Sequence, residues 1–356
     1  MFYIRTDANP TIATGHVMRC MSIAKEISKL GEEVTFITAD LQSKELIERN
    51  GYAVLCLDST WNDLELEIEK LIKVIQQYNI KNLLIDSYFV TDKYLSELRR
   101  YTKIIYLDDL ATCAYPIDVL INYNNYANGL GYEKLYQITD TKLVLGCSYA
   151  PLRDEFRDIA SNVSSTIQNV LLTTGGSDSY HVAYKFLQYL IENHLSDNKR
   201  SKEDKLDSLL RNIKFHVVVG KFNADKEKLR DMSKEYPNIK LHMSVLNMSE
   251  LMKKSDLAIT AGGSTMYELC ACGVPMITYS FADNQLPGVK GFHSIGVAKY
   301  CGDIRTGLNK VYESIICGIY DYFNDSTCRK NVSNRMKNLV DGYGAKRIAD
   351  IINNLE

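Results

Sequence analysis

The chain has 356 residues, 46% of them apolar, which is too long for one ordinary core and enough for two. Lysine plus arginine number 42 and aspartate plus glutamate 44, a formal charge of −2 that gives no electrostatic reason to bind nucleic acid or an anionic membrane. No window approaches the roughly 18 uninterrupted apolar residues of a membrane span, and Met1-Phe2-Tyr3-Ile4-Arg5-Thr6-Asp7 lacks the apolar stretch of an export signal, so a cytoplasmic protein is expected.

In chain order, Met1–Thr6 reads as a strand, followed by a helix over His16–Leu30, where Val17, Met18, Met21, Ala24, Ile27 and Leu30 recur at helical spacing. Strands are predicted at Glu33–Thr38, Asn82–Asp86, Lys103–Leu107 and Val119–Asn122, with helices at Leu64–Tyr78 and Asp92–Arg100. Alternation of this kind builds a parallel sheet covered on both faces. The pattern resets after residue 165 with strands at Asn169–Thr174, His216–Val219, Ile239–Met243, Leu257–Thr260 and Met276–Tyr279. The expected fold is therefore α/β: two Rossmann-like domains, residues 1–155 and 165–330, with parallel sheets and a cleft between them. The last helical run, residues 331–356, is expected to pack back on the first domain. The polar stretch Ser196–Asp207 reads as an exposed loop.

Nine cysteines, an odd number with no CxxC pair, read as reduced structural thiols; Cys270-Ala271-Cys272 is too tightly spaced for a zinc knuckle. No His/Asp/Glu set has metal-ligand spacing, so neither a metal nor a cofactor is expected. Gly15 stands outside any GxGxxG motif, which disfavours a dinucleotide.

Open parallel sheets bind ligands beyond the carboxyl ends of their strands, and three clusters fall there. The first is Thr14-Gly15-His16-Val17-Met18-Arg19. A glycine allows close backbone approach to a ligand, and the following helix offers free amides and a positive dipole end. His16 in its first turn is expected to be neutral and able to accept a proton; alternatively, Gly15 only makes the turn and His16 bonds locally. The second is Thr173-Thr174-Gly175-Gly176-Ser177-Asp178, either a lining of backbone amides or a tight turn with Ser177 or Asp178 as a helix cap. Nearby His181 reads as a surface or helix residue. The third is Gly262-Gly263-Ser264-Thr265-Met266-Tyr267-Glu268, an anion seat for a diphosphate with no Walker lysine. Glu268 is placed to take two ribose hydroxyls, although Thr265 to Glu268 also fits a capping box. The turn Gly273-Val274-Pro275 leads into the next strand, and Asp283-Asn284-Gln285 sits beyond its end.

These motifs resemble the GT-B superfamily around the MurG-type glycosyltransferases. More narrowly the chain resembles the pseudaminic-acid pathway hydrolases, which release UDP from UDP-2,4-diacetamido-2,4,6-trideoxy-β-L-altropyranose, together with the spore-coat polysaccharide proteins. The likeness runs through Arg5-Thr6-Asp7, Thr14 to Arg19, Leu84-Ile85-Asp86, Leu107-Asp108-Asp109, Leu120-Ile121-Asn122, Tyr149 to Phe156, Gly175 to Asp178, Gly262 to Glu268 and Asp283 to Gln285. The Gly-His and Leu-Arg-Asp-Glu-Phe segments are its specific parts. The resemblance implies that His16 is the general base and that Gly15, Asp7, Arg153, Gly176, Ser264, Thr265, Glu268 and Asn284 bind a UDP-sugar. One departure bears on the sugar: the family commonly has Asp-His-Tyr where this chain has Asp86-Ser87-Tyr88.

The chemistry so implied is inverting, metal-independent hydrolysis at the anomeric carbon, with His16 taking a proton from water and the amides of Gly263 to Thr265 meeting the charge on departing UDP. Arg153 would clamp an anionic or carbonyl group of the substrate. Two other classes share these features. One is a GT-B glycosyltransferase or a hydrolysing 2-epimerase using a related UDP-sugar; the other is a non-catalytic nucleotide-sugar-binding subunit. Oligomeric state is not encoded in these motifs.

Overall fold

The computed structural model describes residues 1–9, 11, 12, 14–160, 163–176, 178–195, 205–220 and 222–355. The chain divides into two units, the first of residues 1–154 and 342–356, the second of residues 155–341.

In the first unit the order is β1 (Phe2–Thr6), α1 (Gly15–Lys29), β2 (Val34–Thr38), α2 (Lys44–Arg49), β3 (Ala53–Cys56), α3 (Ile68–Gln77), β4 (Asn82–Asp86), α4 (Asp92–Arg99), β5 (Lys103–Leu107), β6 (Val119–Asn122), α5 (Tyr132–Leu135) and β7 (Lys142–Leu145). The second unit runs β8 (Asn169–Thr173), α6 (Val182–Leu190), α7 (Lys205–Asn212), β9 (Lys214–Val219), α8 (Lys226–Glu235), β10 (Ile239–Met243), α9 (Met248–Lys253), β11 (Leu257–Ala261), α10 (Thr265–Cys272), β12 (Met276–Ser280), α11 (Leu286–Ser294), β13 (Ala298–Asp303), α12 (Leu308–Asn324) and α13 (Ser326–Leu339). A final helix, α14 (Gly344–Asn353), closes the first unit.

The first sheet has the strand order β3-β2-β1-β4-β5-β6-β7 and the second β10-β9-β8-β11-β12-β13, with every pairing parallel. Strands covered on both faces must be apolar on both, which is why β1, β2, β11 and β12 are buried at every position. In each sheet the chain winds outward in one direction, then returns to the middle and winds the other way. The reversal falls between β1 and β4 in the first unit and between β8 and β11 in the second. Neighbouring loops part at such a point and leave a crevice at the strands' carboxyl ends.

One position in the β1 core is charged. Arg5 is fully buried, and its Nε and Nη2 bond Glu67 Oε1 and Oε2 at 2.7 and 2.8 Å, while Nη1 meets Asp7 Oδ2 at 2.5 Å. Tyr94 and Ser59 donate to the same Glu67 carboxylate at 2.8 and 2.7 Å. The guanidinium is thus bidentately paired and its partners' remaining lone pairs are occupied, the condition under which a buried ion pair is tolerated.

The C-terminal stretch departs from expectation. Residues 331–356 are not one helix: α13 belongs to the second unit and α14 to the first, with Gly342 at φ +84° in the break. Within the first unit α14 buries Ala345, Ile348, Ala349 and Ile352, and Arg347 donates to the Ser148 carbonyl at 2.8 Å. A side chain at Gly344 would run into the Tyr149–Ala150 backbone. Of the expected loop Ser196–Asp207, residues 196–204 lie outside the described residues, and residues 205–207 open α7.

Candidate active site

Thr14 precedes α1, and Gly15 and His16 form its first turn, beside the β1–β4 reversal. Gly15 is exposed, with ordinary φ and open space where a Cβ would stand. Nothing among the described residues requires a glycine there.

His16 is buried, with 10% of its side chain exposed, and its Nδ1 lies 2.5 Å from Asp86 Oδ1 at the end of β4. A carboxylate only accepts, so the proton of a neutral imidazole sits on Nδ1 and Nε2 carries the free lone pair. Nε2 meets no hydrogen-bond partner among the described residues.

Asp86 is fully buried and takes two further bonds from the Arg19 guanidinium, Nε to Oδ2 at 2.7 Å and Nη2 to Oδ1 at 2.6 Å. Burial pushes its pKa up, but Arg19 and His16 outweigh that and hold the carboxyl well below the usual carboxylate range. Arg19 Nη1 reaches Asp109 Oδ2, beyond β5, at 3.0 Å and Tyr123 Oη, beyond β6, at 3.1 Å. Asp109 also accepts from Tyr88 Oη at 3.0 Å and from Asn124 Nδ2 at 2.8 Å. The Tyr88 ring returns to His16, edge to face at 4.7 Å. Residues from α1 and from the ends of two adjacent strands, β4 and β5, therefore form a closed circuit: His16, Asp86, Arg19, Asp109, Tyr88.

Sequence reasoning placed His16 here but gave no role to Asp86, Arg19, Tyr88 or Asp109, although each lies in a motif it singled out. Asp7 is buried, its Oδ2 held by Arg5 and its Oδ1 accepting from the Ala39 amide at 2.8 Å. Ser87 is buried, with Oγ accepting from the Phe89 amide at 3.2 Å. Arg153 is half-buried in the stretch after β7.

In the second unit three neighbouring strand ends carry the expected residues. Gly175 and Gly176 follow β8, Gly262 to Thr265 follow β11, and Asn284 lies in the turn Asp283–Gln285 after β12. Gly176 and Asn284 are exposed. Gly262 is fixed by packing, since a Cβ there would stand 2.8 Å from Val289 and 2.9 Å from Gln285. Gly263 meets only open space, like Gly15.

The two candidate anion seats are not equivalent. At α6, Asp178 accepts from the amides of Val182 at 2.8 Å and Ala183 at 3.0 Å, so the protein's own carboxylate fills that helix terminus. Beside it, His181 stands at the start of α6 with its side chain well exposed, as expected, and holds Asp225 at 2.5 Å from a left-handed backbone with φ 59°. At α10, Ser264 occupies the cap position and makes no side-chain cap bond. Thr265 is the first helical residue, so the capping box from Thr265 to Glu268 does not form. The amides of Met266, Tyr267 and Glu268 donate to the Gly263 and Ser264 carbonyls, so what faces outward is the positive end of the dipole and the loop Gly263 to Thr265, with Ser264 exposed and Thr265 and Glu268 half-buried around it.

Two Rossmann-like units, each with its polar residues at the reversal point of its sheet, define an α/β protein of the GT-B type. The chain shares that fold with MurG of Acinetobacter baumannii, at a TM-score of 0.66 and 12% identity with all of both chains covered. Residues 170–313 match the glycosyltransferase family 28 C-terminal domain. In sequence the chain is similar to UDP-2,4-diacetamido-2,4,6-trideoxy-beta-L-altropyranose hydrolase of Campylobacter jejuni, 27% identical over 74% of this chain and 85% of that protein. It is also similar to the spore coat polysaccharide biosynthesis protein SpsG of Bacillus subtilis, 26% identical over 63% of this chain and 61% of that protein. A protein of Methanocaldococcus jannaschii is 27% identical over 77% of this chain, which spans 54% of that protein's length. Among the described residues no helix is long and apolar enough to cross a membrane.

Proposed function

We propose that this protein processes a UDP-linked sugar in surface-polysaccharide synthesis, and that it hydrolyses UDP-2,4-diacetamido-2,4,6-trideoxy-β-L-altropyranose or a close analogue to UDP and the free sugar. The observation that carries this reading is the His16–Asp86 pair at the β1–β4 reversal point, with Nδ1 fixed by the carboxylate and Nε2 left as acceptor. The similarity to the Campylobacter hydrolase supports the choice of substrate.

In this reading a water lies beside the anomeric carbon. His16 Nε2 takes its proton as the oxygen attacks, the C1–O bond to the β-phosphate breaks, and configuration inverts. Asp86 stabilises the imidazolium as it forms. Asp86, Arg19 and Asp109 together carry one net negative charge, so the proton arriving on His16 neutralises the cluster. The leaving diphosphate gains charge against the amides of Gly263 to Thr265 and the α10 helix dipole, preorganised donors that need not turn to meet it. Gly15, Gly176 and Gly263 allow close approach, Ser264 and Thr265 supply hydroxyls, Glu268 takes the ribose hydroxyls, and Arg153 and Asn284 bind substrate. Asp7 supports the first unit from within. Ser87 in place of the more common histidine bears on which sugar fits.

The test is UDP release from the purified protein and this UDP-sugar, with EDTA present and no acceptor added. Release that disappears in His16→Asn supports metal-independent hydrolysis. No release from this sugar or its stereoisomers, with UDP still bound, would turn the assignment to a transferase.

A further inference from the structure

We infer that Arg19 and Asp109 are positioning residues that set, through Asp86, how strongly His16 holds a proton. The inference rests on the reading of His16 as the base and adds the means by which its strength is adjusted.

Asp86 Oδ1 faces the Arg19 cation and an imidazole able to become one at almost equal range, Arg19 Nη2 at 2.6 Å and His16 Nδ1 at 2.5 Å. Whatever hold Arg19 has on that oxygen weakens its hold on the imidazole. Arg19 also lies directly against the ring, Nη2 to Nδ1 at 3.4 Å, and opposes a positive charge there. Asp109 acts in the opposite sense by drawing Nη1 away at 3.0 Å. The groups around His16 are then Arg19 from α1, Asp86 and Tyr88 from the end of β4, and, one step behind, Asp109 and Tyr123 from β5 and β6, with the Cys20 thiol donating to Asp86 Oδ2 at 3.4 Å. Tyr88 ties the far end of this chain back to the ring it influences.

Opposed roles make the inference testable by sign. Removing the positive charge in Arg19→Gln frees Asp86 to hold the imidazolium, so His16 titrates at higher pH. Removing the negative charge in Asp109→Asn leaves Arg19 leaning wholly on Asp86, so His16 titrates at lower pH. Each shift should be about 0.5 pH unit or more, as expected for charges within a few ångströms of the ring or of its partner. Asp109→Glu and Arg19→Lys keep the charges and should move the midpoint less.

The measurement is the 15N and 1H titration of the His16 imidazole by NMR, its signal identified among the six histidines by its loss in His16→Asn. It needs no turnover, so failure of the hydrolase assignment leaves it readable, and the His16→Asn turnover assay tests that assignment separately. Opposite displacements in Arg19→Gln and Asp109→Asn, each variant retaining the wild-type thermal transition, support the inference. Displacements of one sign, or none, overturn it. If Arg19→Gln fails to fold, the comparison of Asp109→Asn with Asp109→Glu decides alone: a downward shift in the first that the second reverses supports it, and equal midpoints overturn it.

Discussion

His16 Nδ1 and Asp86 Oδ1 stand 2.5 Å apart although 70 positions separate them in the chain. The contact exists because β1 and β4 are neighbours in the sheet, so that the helix after one strand begins beside the end of the other. Replacing Asp86 by asparagine offers Nδ1 a donor in place of an acceptor and moves the imidazole proton to Nε2, the nitrogen needed as base. Asp86→Asn should therefore lower kcat by about 10²–10⁴-fold, as His16→Asn should. UDP affinity by calorimetry should stay within a few-fold in both, since the nucleotide is assigned to the other unit. Near-normal turnover in either variant would remove the pair from the mechanism.

Gly263 separates fold from binding. Its would-be Cβ meets nothing, so valine there should leave stability within about 0.5 kcal/mol of wild type by urea titration. The same side chain would project from the start of α10 into the space assigned to the diphosphate, and UDP affinity should fall by at least about 10-fold, one interaction's worth. Retained affinity would move the anion seat elsewhere. Glu268→Gln should weaken UDP binding less than valine at Gly263 does, because the role proposed for Glu268 is confined to the ribose.

The Arg5–Glu67 pair is fully buried on both sides. Arg5→Met should destabilise the first unit by about 3–5 kcal/mol, because Glu67 and Asp7 are left without their cation. The double variant Arg5→Met/Glu67→Leu should recover part of that loss, since no unpaired charge from this pair remains. A cycle of unfolding free energies measures the coupling, and a double variant as unstable as the sum of the singles would show that the pair does not interact.

The second unit should lose stability in mild acid. His216 on β9 bonds His242 on β10 at 2.9 Å and Asn169 on β8 at 3.0 Å, a polar row across three strands. Burial lowers the pKa of both imidazoles, and the charge of His242 and of the neighbouring Lys214 and Lys240 lowers that of His216 further. The unfolded chain then binds more protons than the folded one once pH falls below the ordinary histidine value of 6.5, so stability declines from there downward. His216→Asn with His242→Gln should flatten the pH dependence of the thermal midpoint between about pH 5 and 7. An unchanged slope would exclude the row as its source.

Which parts of the fold were legible follows from burial. Strands β1, β4, β5, β6 and β11 lie inside their sheets, where both faces must be apolar, and runs such as Leu83-Leu84-Ile85 announce them. The strands that escaped reading, β3, β7 and β13, are all sheet edges, half-exposed along most of their length. An edge strand has no need of a continuous apolar run, so its sequence carries a weaker signal. The C-terminal stretch was misread as one helix because both α13 and α14 have helical periodicity. Which unit each one serves depends on packing.

Two α/β units, the strand-end positions of Gly15 and His16, and the glycine turn before α10 can be read along the chain, since these depend on local periodicity and on neighbouring residues. The remainder came from tertiary packing. It turned Asp7 inward to Arg5, closed the α6 terminus with Asp178, and left the α10 terminus without a side-chain cap. It also joined His16 to Asp86, Arg19 to Asp109, and Tyr88 back to His16. Those pairings depend on the order of strands in the sheet, and strand order is set by how helices cover the faces of the whole unit, which no short stretch of sequence records.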